Sequence, residues 1–305
     1  MAANTNSSSS NKKPNVLEKI NPMMWKQART VKKAAASVEE LVDHLTQNAP
    51  FLSETPSITN IAVLHRNEIS TGKLLGEGSF CQVYEVTRLH LQDSDEGLLS
   101  KEEIASRKQL QQELRNEHDA RRDLLYVIKQ PKRDLLRKSL DFAKAIADLV
   151  VEAKYLSRLD HPNILTVRGL PIGGTHSFES GRFDSYFMIM DRLTDSLDQR
   201  IKKWQGEGPA DPAMIPRKTN YSLQIANALL YLHKRRIIFR DLKPENVGFQ
   251  GEHTVKLFDF GLVREVPQGF DDEVYTMSGS GSQWYMAVEI FLTGLFSWAL
   301  FFTVK

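Results

Sequence analysis

The pattern of apolar and polar positions predicts strands in the middle of the chain and helices around them. Apolar runs bounded by Gly, Pro or charged residues predict the strands. These runs are Ile69–Leu75, Cys81–Thr87, Leu124–Gln130, a segment beginning at Ile164, Phe183–Met190, Ile237–Phe239 and Val255–Phe258. Helical spacing of apolar residues appears in Asp141–Leu159, Leu197–Trp204 and Thr219–His233. The last of these is apolar on most faces, which predicts a buried helix. The mixture predicts an α+β fold.

The N-terminal part of the chain contains one amphipathic helix. Met1–Asn15 is rich in Asn and Ser, so we expect disorder there. Val31–Leu45 repeats apolar residues at i, i+3, i+4 and i+7, after a basic start. We expect this helix to dock on the next domain, and a position on a membrane surface is the alternative. Pro50 and Pro56 predict a linker between the two parts.

Two segments depart from an ordinary domain pattern. Arg88–Arg122 is mostly charged, and its composition predicts a solvated, partly helical insertion, with partner docking as the alternative. Ile290–Val304 carries no charge. Its length of about 15 residues is short of the roughly 20 that a membrane-spanning helix needs. With a partner it would be a buried helix or strand pair, and our hypothesis is a helix that fills the core of the preceding domain. The alternatives are a membrane-seeking tail and the end of an incomplete product.

Composition excludes few functions. The net charge of the 305 residues is +2, which gives no strong attraction to nucleic acid or membrane. Cys81 is the single cysteine, so no intrachain disulfide can form, and this is typical of a reducing compartment. The N-terminus has no apolar signal-peptide core. We therefore expect a cytoplasmic protein.

The candidate chemistry is concentrated between Ile237 and Gly261. The first apolar run there leads into Asp241, Lys243 and Asn246, and the second leads into Asp259, with Gly251 in the turn between them. Two carboxylates, an amide and an amine on adjacent loops match the needs of phosphoryl transfer. One carboxylate can orient a hydroxyl, and oxygen ligands can hold magnesium against a triphosphate.

Two upstream features could complete such a site. The predicted hairpin at residues 76–80 contains Gly76 and Gly78, which would let the backbone approach a phosphate and adopt positive φ. By itself this signal is also that of an ordinary hairpin turn. Lys129 ends an apolar strand, and Glu152 borders the apolar stripe of the following helix. A carboxylate facing this lysine would keep it charged and hold it against phosphate oxygens.

As a set, these motifs resemble those of a eukaryotic protein kinase of the serine/threonine class, from about Ile69 to Glu289. The resemblance implies a bilobal kinase domain at 61–289, with an N-lobe at 61–190, a partial C-lobe at 194–289, the insertion at 88–122 and an apolar tail at 290–305. Residues 1–60 would form an N-terminal extension. It further implies ATP and Mg²⁺ as cofactors and a protein substrate with a Ser or Thr acceptor. Nucleic acid is not expected as a partner, and membrane contact by 290–304 is not favoured.

The resemblance also implies a role for each matching residue. Asp241 would orient the substrate hydroxyl, Lys243 would neutralise charge on the transferred group, and Lys129 would contact phosphates while paired with Glu152. Asn246 and Asp259 would bind magnesium. The nucleotide would contact Leu75, Gly76, Glu77, Gly78, Ser79, Phe80, Val83, Lys129, Met190, Asp191 and Leu193. Cys81 replaces the third glycine of the loop, which makes the loop bulkier.

Two other positions concern control of the site. Phe239 replaces the usual histidine, and we expect it to keep the stacking and lose a hydrogen bond. Arg240 would pair with a phosphate on the activation segment. The residue at the usual phosphoacceptor position is Ser278. The other hydroxyls that could serve are Tyr275, Thr276 and Ser280.

The match ends at Ala287-Val288-Glu289, where the family has Ala-Pro-Glu. A complete kinase would continue for roughly 80 to 100 residues of helices, and sixteen residues follow here. Two functions therefore compete. One is a Mg²⁺- and ATP-dependent serine/threonine protein kinase. The other is a nucleotide-binding regulatory module without turnover. A Walker-type nucleotidase is set aside because the loop lacks the Lys-Ser/Thr ending.

Overall fold

The computed structural model describes residues 22–58, 60–92, 97, 99–120, 125–206, 214–266, 274–276, 281–286 and 295–297. Its helices are α1 (Pro22–Thr46), α2 (Pro50–Glu54), α3 (Lys101–Ala120), α4 (Ser139–Leu156), α5 (Leu197–Gly206) and α6 (Met214–His233). Its strands are β1 (Ala62–Leu64), β2 (Ile69–Glu77), β3 (Cys81–Leu89), β4 (Tyr126–Pro131), β5 (Val167–Pro171), β6 (Met188–Asp191), β7 (Asp195–Ser196), β8 (Ile237–Ile238), β9 (Val247–Gln250), β10 (Thr254–Leu257), β11 (Arg264–Glu265), β12 (Val274–Thr276) and β13 (Leu295–Ser297). The predicted α+β fold is confirmed.

The first lobe is built on a six-stranded sheet in the order β1-β5-β6-β4-β3-β2. Side chains alternate between its two faces, as the strand period of two requires. On β4, Val127 joins a core with α1 and α4, whereas Tyr126 and Ile128 join a second core with α3. The sheet is therefore covered on both faces. The second lobe contains α5, α6 and two small sheets, ordered β10-β9-β7 and β11-β8.

The charged insertion is helical at 101–120, as predicted in part, but the prediction that it is solvated is wrong for one face of α3. Leu110 and Leu114 are each 4% exposed and pack on the sheet. Arg107 is also buried, and its guanidinium donates to Glu68 at 2.6 Å and to the Val63 carbonyl at 2.8 Å. A few apolar positions therefore suffice to dock this helix, because a buried ion pair accompanies them.

The N-terminal helix docks on the next domain, as predicted. Helix α1 begins before the predicted Val31 and lies against α4. It buries Val31, Ala34, Val38 and Val42. The linker predicted around Pro50 is wrong at 50–54, because these residues form α2 and bury Leu52. Residues 1–15, for which we expect disorder, lie outside the described residues.

The prediction that the helix at 219–233 is buried is wrong for much of its surface. Helix α6 buries Tyr221, Ala228 and Leu232. Leu223 and Leu230, however, are 57% and 47% exposed. The helix packs on β8 and β10 along one side. Among the described residues no second layer covers its other side, and the apolar pattern alone could not reveal that.

Where it is described, the apolar C-terminal segment forms a strand pair, one of the two expected forms, and not the core-filling helix. Residues 295–297 form strand β13, which pairs antiparallel with β12, with Tyr275 opposite Phe296. Pairing with 274–276 satisfies backbone hydrogen-bonding groups of this apolar run, as a helix would. The remaining residues of 287–305 lie outside the described residues. Within the described part of the chain, no helix is both long enough and apolar enough to cross a bilayer.

Candidate active site

The β9–β10 hairpin brings the two charged clusters of residues 237–261 together. Val247 pairs with Leu257, so the residues before β9 and after β10 are neighbours. The Phe258 N–H donates to the Asn246 carbonyl at 3.2 Å. Gly251 forms the turn with φ of 67°, as predicted. Asp259, the residue after Phe258, also has φ of 67°, an uncommon backbone conformation for a residue with a side chain. This conformation ends the strand and turns the chain into the Phe260–Leu262 turn.

Lys129 lies between two carboxylates, which confirms the predicted proximity. Its ammonium donates to Glu152 Oε2 at 2.7 Å and to Asp259 Oδ1 at 3.1 Å. Glu152 is 2% exposed, whereas the Asp259 side chain is 47% exposed. Burial favours the neutral amine, but the two carboxylates outweigh it and raise the pKa of Lys129 above its ordinary value. The lysine is therefore a fixed positive charge at the boundary of the two lobes.

A second group of side chains surrounds Asp241, which is 6% exposed. The Asn246 amide donates to its Oδ2 at 2.8 Å and to its backbone carbonyl at 2.9 Å. The Lys243 ammonium lies 2.8 Å from the same Oδ2. Burial acts to raise the pKa of Asp241, but hydrogen bonds from Lys243 and Ser282 outweigh it, so the pKa lies below its ordinary value. Asp241 is thus an ionised, oriented carboxylate.

Ser282 is a site residue that the sequence reasoning missed. Its N–H donates to Asp241 Oδ1 at 2.9 Å, and its hydroxyl accepts from the Lys243 ammonium at 2.8 Å. It lies 41 residues after Asp241, in a polar Ser- and Gly-rich stretch that has no distinguishing pattern. Gly281 has φ of 130°, and a side chain there would approach the Arg240 carbonyl to 2.7 Å. This close approach brings Ser282 to the carboxylate.

The glycine hairpin forms as predicted, but its glycines do not adopt positive φ. Neither Gly76 nor Gly78 is among the described glycines with positive φ. An added Cβ at Gly78 would lie 3.7 Å from the Cys81 carbonyl oxygen, an ordinary contact. The Gly78 N–H donates to that carbonyl at 2.9 Å and closes the turn. Close approach to a phosphate remains the prediction for these two positions.

Strand pairing arranges the residues predicted to meet the nucleotide. Val83, on β3, lies opposite Gly76 on one side and Lys129 on the other. The turn brings Glu77, Ser79 and Phe80 to the end of the same hairpin. Phe80 and Leu75 are 46% and 42% exposed, so apolar surface is available above the site.

The predicted hinge follows directly from the central strand of the sheet. Met190 lies opposite Val127 on β4 and is 4% exposed. The Asp191 N–H donates to the Thr166 carbonyl, and the Arg192 N–H donates to the Leu125 carbonyl. Among the hydrogen bonds of the described residues, the Leu193 N–H is therefore the hinge donor that remains for a ligand.

The aromatic replacement at position 239 packs as predicted. Phe239 is 2% exposed, and its ring meets the Phe260 ring edge to face, with centroids 5.0 Å apart. The contact joins the residues before Asp241 to those after Asp259. Arg240 donates to the Leu262 carbonyl at 2.6 Å. Side chains at positions 275–280 and residues 287–289 lie outside the described residues, so the predicted phosphoacceptors and their pairing with Arg240 remain predictions.

The donor set suits a magnesium ion shared with phosphate oxygens. Among the described residues, no three His, Cys, Asp or Glu side chains form a complete metal cluster. Asn246 uses its amide nitrogen for Asp241, which directs its amide oxygen away from that carboxylate. The half-exposed Asp259 carboxylate has oxygen to offer as well. One amide and one carboxylate match the few protein ligands that Mg²⁺ takes beside substrate phosphates.

Comparison with known proteins gives a consistent result. The family model "Protein kinase domain" matches residues 115–295. The chain is 31% identical over 166 residues to the G-type lectin S-receptor-like serine/threonine-protein kinase SD1-13 of Arabidopsis thaliana, covering 53% of this chain and 18% of that protein. It is 29% identical over 157 residues to mitogen-activated protein kinase 4 of Mus musculus, covering 50% of this chain and 26% of that protein. It is 31% identical over 158 residues to serine/threonine-protein kinase PBL13 of Arabidopsis thaliana, covering 51% of this chain and 29% of that protein. The chain thus spans less than a third of the length of each of these relatives.

Proposed function

Because the chain belongs to the protein kinase family, we propose that it transfers the γ-phosphoryl group of ATP to Ser or Thr hydroxyls of proteins. The observation that carries the proposal is the position of Lys129 between Glu152 and Asp259, the latter following the β9–β10 hairpin whose preceding loop carries Asp241. These are the charges that phosphoryl transfer requires, and each is held by contacts within the chain.

The chain's residues have separate tasks in this reaction. The Leu193 N–H would bind the adenine edge, Val83 and Leu75 would cover its face, and Lys129 would hold the phosphates. Asn246 and Asp259 would hold Mg²⁺, which would neutralise phosphate charge when bound.

Transfer depends on Asp241 and its neighbours. Asp241 would accept a hydrogen bond from the substrate hydroxyl and direct its oxygen towards phosphorus. Lys243, 2.8 Å from Asp241, would stabilise negative charge on the group in transfer. The low pKa of Asp241 suits orientation of the hydroxyl, because the carboxylate stays ionised at neutral pH.

A second candidate function is nucleotide binding without turnover. The bonding of Asp241 favours it, because Ser282 occupies one carboxylate oxygen while Asn246 and Lys243 occupy the other. A substrate hydroxyl would have to share or displace one of these partners. Under this candidate, ATP would stabilise the chain and no phosphate would move.

The test uses the purified chain with Mg²⁺, radiolabelled ATP and a mixed protein substrate, followed by phosphoamino-acid analysis. Asp241→Asn should lower transfer at least about 100-fold, because general-base residues typically contribute that much. The matched control is Asp141→Asn, since the Asp141 side chain is 41% exposed and its only ion pair among the described residues is a loose one, 3.7 Å from Lys138. Equal rates for the two variants would contradict the role of Asp241.

Nucleotide binding is measured separately as the rise in melting temperature with ATP and Mg²⁺. Lys129→Met should abolish this rise. A rise in the wild type without any phosphate transfer would support the binding module. Labelled phosphotyrosine in place of phosphoserine or phosphothreonine would contradict the substrate class.

A further inference from the structure

The N-terminal segment at 22–58, which we call the N-terminal clamp, packs against the helix α4, which carries Glu152. Helix α1 packs on α4 through Val31, Ala34 and Val38. The C-terminal end of α4 is held as well, because the Arg158 side chain donates to the Thr55 carbonyl at 2.8 Å and the Ile58 N–H donates to the Ser157 carbonyl at 2.7 Å. The position of α4 therefore depends on the clamp.

One buried carboxylate connects this clamp to the active site. Glu265 lies on β11, six residues after Asp259, and is 7% exposed. Its Oε2 accepts the Phe51 N–H at 2.6 Å, and its Oε1 accepts the Tyr155 hydroxyl at 3.1 Å. The Phe51 and Tyr155 rings are parallel, with centroids 6.5 Å apart. Glu265 thus joins the clamp, α4 and the segment that follows Asp259.

Glu265 connects the two structural elements that carry the carboxylate partners of Lys129. Tyr155 lies three residues after Glu152, so α4 carries both the contact to Glu265 and the contact to Lys129. Strand β11 begins five residues after Asp259, the second partner of Lys129, on the same short segment. A shift of α4 away from β11 would break the Glu265 contact and separate the two carboxylates at Lys129.

We propose that Glu265 is a positioning residue through which the N-terminal clamp holds Glu152 and Asp259 together on Lys129. The inference rests on the proposed nucleotide-binding function of that site. Its consequence is that loss of the clamp contact weakens ATP binding at a distance, although Glu265, Tyr155 and Phe51 belong to no predicted nucleotide contact.

The proposal is tested with two conservative variants of the full chain. Tyr155→Phe keeps the stacked ring and removes the hydroxyl, and Glu265→Gln keeps the shape and removes the charge. Each should raise the KM for ATP at least about fivefold, the lower end of usual coupling between sites, with a smaller change in kcat. The double variant should be little worse than either single one, because both interrupt the same contact.

Tyr231→Phe is the matched control. Its hydroxyl accepts the Asp160 N–H at 3.0 Å, so this variant also loses one hydrogen bond. Tyr231 lies on α6, and the side-chain hydrogen bonds of Glu265 go to Phe51 and Tyr155 instead. The Tyr231→Phe variant should lower the free energy of unfolding without changing the KM for ATP. If Tyr155→Phe and Glu265→Gln behave in the same way as this control, the contact only stabilises the fold and the proposal is wrong.

Hydrogen–deuterium exchange across α4 separates this proposal from the proposed function. Both variants should exchange faster than wild type in residues 139–156, in the absence of nucleotide. If wild type transfers no phosphate and binds no ATP, the proposed function fails, and the exchange of α4 still decides whether Glu265 holds the helix. Unchanged exchange in both variants would overturn the proposal, whatever the activity.

Discussion

Substitution of Gly181 by Ala tests how closely the N-terminal clamp fits the first lobe. Gly181 ends the Gly174–Ser180 turn with φ of 77° and ψ of 6°. A Cβ added there would lie 2.7 Å from the Cβ of Ala28 on α1 and 3.3 Å from its Cα. The substitution should therefore have two costs, one from the left-handed backbone and one from collision with the helix.

The chain contains a matched control for the first cost. Gly173, at the other end of the same turn, has φ of 73° and ψ of 7°. A Cβ there would meet the His176 Cβ at 3.8 Å, which is ordinary contact. Gly173→Ala should lower the free energy of unfolding by about 1–2 kcal/mol, the cost of a left-handed residue with a side chain. Gly181→Ala should lower it by a further 1–3 kcal/mol or so, the usual cost of overpacking.

Urea denaturation of the single and double variants measures both terms. Ala28→Gly alone should cost about 0.5–1 kcal/mol, because glycine weakens a helix. Combined with Gly181→Ala it should relieve the collision, so the double variant should be about 1–3 kcal/mol more stable than the sum of the single effects predicts. If Gly181→Ala costs no more than Gly173→Ala, α1 does not lie against this turn and the argument fails.

Two further substitutions test ionisable side chains away from the candidate site. Arg107→Met should lower the free energy of unfolding by about 3 kcal/mol, because it leaves the buried Glu68 carboxylate without the Arg107 guanidinium. Substitution of the exposed Lys108 by Met is the control, and equal urea midpoints for the two variants would contradict the expectation. His161 has a pKa below its ordinary value of 6.5, chiefly because of burial, and its Nδ1 accepts the Asn163 N–H. As the pH is lowered through about 6.5, the unfolded chain therefore binds more protons there than the folded chain. The free energy of unfolding decreases as the pH is lowered. His161→Gln should lose less free energy of unfolding than wild type between pH 7.5 and 5.5, and an unchanged pH slope would refute this.

Much of the fold and site could be predicted because the signals are local. The apolar runs before Asp241 and Asp259, and the helical stripe that carries Glu152, each depend on residues within a few turns of chain. Ser282 could not be found in this way. Its contact with Asp241 spans 41 residues and depends on the backbone at Gly281, whose tolerance of positive φ has no sequence period.

The wrong predictions also have physical causes. Helix α3 has few apolar residues, but a buried pair between Arg107 and Glu68 adds to its docking, and such a pair is invisible to a count of apolar positions. Helix α6 has more apolar faces than the described residues cover. The core-filling helix was not formed at 295–297, where the backbone pairs instead with 274–276, a partner that lies about 20 residues earlier and cannot be identified from the apolar run alone.

The sequence by itself determined the α+β fold, the order of the main elements and the identity of Lys129, Asp241, Asn246 and Asp259 as the candidate chemical groups. Strand period, helical period and turn residues are local, so these features were readable along the chain. Only the tertiary structure decided that the N-terminal segment would hold α4, and that Glu265 would join it to the site. Contacts of this kind form between segments more than 100 residues apart, where packing space and unpaired backbone donors choose the partner.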